Sequence, residues 1–247
     1  MYDNDDKKKI EPPRPASAGE LWERVKPPWQ VWQSFIILVA AMLLSTLPVL
    51  FSTTAAHLSG VVLLSLFLQA AVFFMGPLLI VCVYYSQPLT ALGFRRAPAV
   101  KMLGIGVAAG SLFYALNVLV SLAQTLLFPA AEPVRQDVLT LLELSESGFE
   151  TLMLVLCIAV LAPVSEEMFF RAFLLPPLRA RYGRSSALLL SAMLFALMHM
   201  NGWVLMPMFA GGLGFAWLYD KYANIGYNII AHMTWNGISL LLFFIYV

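Results

Sequence analysis

The chain has 247 residues, 60% of them hydrophobic and 12% charged, with a formal net charge of +1 and a mean hydropathy of +0.80. A soluble domain carries roughly 25% charged residues, so lipid must cover most of this surface and a water-soluble globule is excluded. The near-zero charge gives no footprint for nucleic acid. Cys82 and Cys157 both lie inside apolar runs, so neither a disulfide framework nor a cysteine metal site is indicated.

Residues 1–30 read as a cytoplasmic polar tail. Its start, MYDNDDKKKIEPPRP, is too acidic and too polar for a cleavable signal peptide, so no leader is expected to be removed. Pro12, Pro13, Pro15 and the mixed charges favour solvated chain, and Gly19–Lys26 suits a short interfacial helix. From 31 to 247, apolar stretches of about 20 residues read as membrane spans. They lie near 31–51, 60–85, 102–128, 151–175, 185–201, 204–220 and 225–247. The expected fold is all-α, a polytopic transmembrane bundle of about seven spanning helices with its active site within the bilayer. The fifth and sixth spans are short and separated by Asn201-Gly202-Trp203. The sixth carries Pro207, Gly211, Gly212 and Gly214, small residues that let helices approach closely.

Basic residues alternate between loops. The tail holds Lys7, Lys8, Lys9, Arg14, Arg24 and Lys26; the second loop Arg95, Arg96 and Lys101; the fourth Arg179, Arg181 and Arg184; the sixth Lys221; the others only Arg135. Cytoplasmic loops are the basic ones, which predicts a cytoplasmic N-terminus and an external C-terminus in a cell membrane. No internal repeat of the transporter kind is present.

The chemistry concentrates at Glu166-Glu167-Met168-Phe169-Phe170-Arg171, near the end of the fourth apolar run. Helix positions four apart share a face while neighbours point about 100° apart. Glu167 and Arg171 therefore neutralise one another. Glu166 points elsewhere without a local cation, and needs water, a proton or a partner from another helix, the setting of a general base. His199 and His232 fall in predicted spans, with Phe195 one turn before His199; His57 lies in a short polar loop. His232 and Asn236 share a helix face and present hydrogen-bond donors where an anionic oxygen would sit. The same groups also suit a buried ion network that only fixes packing.

Together, Glu166-Glu167…Arg171, Phe195…His199 and His232…Asn236, in this order, resemble the CAAX protease and bacteriocin-processing family, also called CPBP or Abi, whose pattern is E-E-x-x-x-R, F-x-x-x-H and H-x-x-x-N/D. The resemblance covers about 150–240 and implies a glutamate-dependent intramembrane endopeptidase core. By that resemblance Glu166 with His199 activates a water, His232 with Asn236 stabilises the oxyanion, and Glu167, Arg171 and Phe195 support the site. It also implies a membrane-anchored protein or peptide as substrate: a prenylated tail, a bacteriocin leader, or a C-terminal sorting signal with its anchor as in myxosortase-type members. Compact size and short loops suggest a prokaryotic setting, which favours the anchored clients over the prenylated tail.

Other intramembrane chemistries lack their residues. There is no G-x-S-G, no G-x-G-D with a second aspartate to join Asp220, and no H-E-x-x-H. Glu166, His199 and His232 are a legitimate zinc ligand set with an open position, though not at a compact zinc spacing. The expectation is no metal and no cofactor, with zinc as the alternative. A proton-relay transporter and a non-enzymatic immunity protein compete with the protease for the same polar cluster, and a monomer is expected.

Overall fold

The computed structural model describes residue 22 and residues 27–51, 58–129, 141–143, 145 and 147–246. Apart from Trp22, the segment Gly19–Lys26 lies outside them, as do His57 and Arg135. All seven segments expected to be helical are helical, in order, and no strand occurs among the described residues. They are α1, Val31–Phe51; α2, Leu58–Leu78, prolonged by a π-helical turn to Tyr84; α3, Ala99–Leu127; α4, Gly148–Tyr182; α5, Arg184–Leu197; α6, Leu205–Tyr222; and α7, Ile225–Tyr246. Their outer faces expose Leu43, Leu50, Val83, Val100, Leu119 and Leu126, among other apolar side chains. This is a multi-pass helical membrane protein.

Five helices among the described residues, not seven, are long and apolar enough to cross a bilayer: α1, α2, α3, α4 and α7. At 14 residues, α5 reaches only about 21 Å against a hydrocarbon core of about 30 Å. The 18-residue α6 ends in Asp220, Lys221 and Tyr222. It lies between α3, α5 and α7, so protein rather than lipid covers most of it and a continuous apolar surface is unnecessary.

The fourth span also differs from expectation. It does not stop near 175 but runs as one rod to Tyr182. Two π-helical turns, Cys157–Leu161 and Met168–Leu174, flank the short α-helical stretch Ala162–Glu167. Such turns are frequent at functional sites. Pro176 and Pro177 follow the second one. Pro177 has no N–H for the carbonyl of Phe173, four residues earlier. The Trp29 indole N–H supplies that donor at 2.8 Å, its ring stacked on Phe173 at 5.7 Å between centroids. The segment before α1 thus replaces the donor that Pro177 removes from the rod.

Glycines set how closely the central helices meet. A Cβ at Gly110 of α3 would lie 2.2 Å from the Ala231 carbonyl oxygen on α7, and one at Gly211 of α6 would lie 2.3 Å from the Trp235 ring. Backbone at Gly110 cannot give way as a side-chain tip can. Gly110→Ala is therefore expected to cost about 1–3 kcal/mol, read as a lower melting temperature in detergent. Gly104→Ala, with nothing within 4 Å of its Cβ, leaves the melting temperature unchanged or raises it.

The basic loops gather at one end. Arg179 and Arg184 both pair with the buried Asp220, Arg184 at 2.7 Å, and the Trp22 indole donates to the Asp220 carbonyl at 2.8 Å. The Asn224 amide donates to the Arg95 carbonyl at 2.9 Å, and the Ile225 N–H to the Gly93 carbonyl at 3.0 Å. Asp220 is a tie between α4, α5 and α6.

Candidate active site

Glu166 and Glu167, adjacent in the α-helical stretch Ala162–Glu167, point to different sides of the rod. Glu167 is fully buried, and Glu166 keeps 20% of its side chain exposed. Glu167 Oε1 meets Arg171 Nη1 at 3.1 Å, as the four-residue spacing predicts. The same oxygen accepts from His232 Nδ1 at 2.9 Å, and Oε2 accepts from the Asn228 amide at 3.1 Å. Arg171 also donates to the Gly212 carbonyl at 3.1 Å and lies over the Phe195 ring, 4.5 Å from its centroid. A charge buried in lipid costs several kcal/mol unless it is paired, and here α4, α6 and α7 all supply partners.

Glu166 faces a cavity of about 360 Å³, shared with His199, His232 and Asn236. The four residues expected to carry the chemistry therefore line one space. Glu166 Oε2 lies 3.9 Å from His232 Nε2, a separation a water can bridge but longer than a hydrogen bond.

Both rings are oriented by what their other nitrogen touches. His199 Nδ1 is 2.9 Å from the Phe195 carbonyl. A carbonyl only accepts, so Nδ1 carries the hydrogen and Nε2 of the neutral ring is left as an acceptor. His232 donates from Nδ1 to the Glu167 carboxylate, so its Nε2 donates only when the ring is doubly protonated.

Aromatic packing fixes these groups further. Phe215 stacks on His232 at 4.7 Å, and Phe195 meets His199 at 5.0 Å and His232 at 5.9 Å. Asn236 donates one amide hydrogen to the Ile158 carbonyl at 2.8 Å, within the first π-helical turn, and keeps the other for the cavity. The loop after His199 is pinned from α3, where the Gln124 amide donates to the Trp203 carbonyl at 2.9 Å.

Asn228 carries no motif of its own. It stands one turn before His232, in the stripe Asn228, His232, Asn236 on an otherwise apolar helix, and that repeat of four is its only sequence signal. The Gly212 and Phe215 carbonyls, which accept from Arg171 and Asn228, leave no signal in side-chain identity. Among the described residues no three His, Cys, Asp or Glu side chains lie close enough together to form a ready metal-binding group.

No curated protein and no solved structure matches the chain. Residues 148–238 match the family model described as type II CAAX prenyl endopeptidase Rce1-like. The matched segment contains every residue of the buried charge cluster and of the four-residue cavity set, on α4 to α7. Over residues 148–238 the chain is thus similar to the Rce1-like CAAX endopeptidase family, the CPBP family that its three ordered motifs resemble.

Proposed function

We propose that this protein is an intramembrane endopeptidase of the glutamate type, cleaving a peptide bond in a membrane-anchored protein or peptide. The observation that carries the reading is the single cavity lined by Glu166, His199, His232 and Asn236. Glu166 takes a proton from a water held between it and His199 Nε2, and the oxygen bonds to the substrate carbonyl carbon. Protonated His232, through Nε2, and the remaining amide hydrogen of Asn236 donate to the oxyanion. Collapse breaks the C–N bond, and Glu166 returns its proton to the departing amine. Glu167 does not touch the reacting atoms. It holds His232 in the orientation and charge state this step needs.

The matched family's description names the prenylated tail. Anchored clients, among them C-terminal sorting signals and leader peptides, fit the same site. The site is complete within one copy, consistent with a monomer. The proposed layout puts the N-terminus in the cytoplasm of a multi-pass cell-membrane protein and the C-terminus outside. Profiling the protein termini of membranes from cells with intact protein and with Glu166→Gln tests the activity. One or more precursors retained only in the variant are expected, and identical termini would remove the protease reading. A metal-free reaction further predicts that prolonged chelation leaves cleavage within about twofold of the untreated enzyme. Stoichiometric zinc whose removal abolishes activity would replace this mechanism with a zinc one.

A further inference from the structure

A carboxamide on α2, outside the family-matched segment, faces the same cavity. Gln69 lines it together with Glu166, and also lines a narrow extension of about 50 Å³ between α2 and α4. Glu166 lines the extension too, whereas His199, His232 and Asn236 do not. Gln69 makes no hydrogen bond with any described residue, while the other amides on the cavity each commit an atom to the protein: Asn201 to the Trp203 N–H and Asn236 to the Ile158 carbonyl.

An unpaired carboxamide within an apolar span is costly, so a partner from outside the chain is the physical expectation. A membrane peptide about to be cleaved provides one. To expose its scissile bond it must leave the helical conformation, and its freed backbone N–H and C=O groups then need partners within the cavity. A Gln side chain accepts with its oxygen and donates with its nitrogen, the complement of one peptide unit. Resting on the protease reading above, we propose that Gln69 binds one backbone amide unit of the extended substrate between α2 and α4, beside the scissile bond. Because the oxyanion groups lie outside this extension, Gln69 is a positioning residue that acts on binding.

The test uses the full chain in lipid nanodiscs and a quenched peptide copied from the cleavage region of a precursor that Glu166→Gln cells retain. Gln69→Leu and the similarly sized Gln69→Met are expected to raise KM about tenfold, with kcat within about twofold of wild type. Their melting temperatures should equal or exceed wild type, because no internal hydrogen bond is lost. An unchanged KM in the folded variants overturns the proposal, and so does a fall in kcat alone. A lowered melting temperature or failure to fold makes Gln69 structural and overturns it as well. If Glu166→Gln cells retain no precursor, the protease reading falls first and this inference with it, so the two failures are distinguishable.

Discussion

Glu167→Ala is expected to leave little folded protein. Removing one member of a buried ion pair typically costs about 3–5 kcal/mol, a large share of a net stability of about 5–15 kcal/mol. Here the loss extends beyond the pair. Arg171, fully buried, loses its carboxylate; His232 loses the acceptor at Nδ1; Asn228 loses one of two acceptors. The side-chain ties of Glu167 between α4 and α7 are therefore released at one point. The measurement is folded yield and melting temperature in detergent, both expected to fall sharply. Exchanging Arg171 for Met in the same chain is expected to recover part of the loss, because the stranded charge is removed with its partner. A stable but inactive Glu167→Ala protein would reverse the roles given to the two glutamates.

The different surroundings of the two glutamates are legible in the sequence, because they follow from local helix geometry. Residues 167 and 171 share a helix face and residue 166 does not, whatever the rest of the chain does. The helical segments are legible for a similar reason, as long apolar runs in lipid have few options besides helix. Contacts between distant segments are not. Nothing in the sequence announces that Asn228 reaches Glu167, or that the Gly212 backbone accepts from Arg171.

Hydropathy overcounts the full spans where it stops reporting on lipid exposure. Helix α6 is enclosed by other helices, so its composition reflects packing partners. The prolines at 176 and 177 suggest an end to α4, and the donor that replaces the one Pro177 lacks comes from the indole of Trp29, far back in sequence. Gln69 shows the same limit. As one polar residue in an apolar run it signals nothing until α2 is seen beside α4.

The most direct test of the central claim, that Glu166 activates water in the shared cavity, is the cleavage rate per folded molecule of Glu166→Gln. The side chain is partly exposed to the cavity, and its one charged contact within 4 Å among the described residues is His232 at 3.9 Å, so the near-isosteric amide should leave the melting temperature close to wild type. The rate should not survive. General base catalysis contributes about 10²–10⁴-fold, and an amide can neither take the water's proton nor hand it to the departing amine. A folded Glu166→Gln protein slowed about 10³-fold or more is the result predicted, and one that cleaves within about tenfold of wild type would contradict the account.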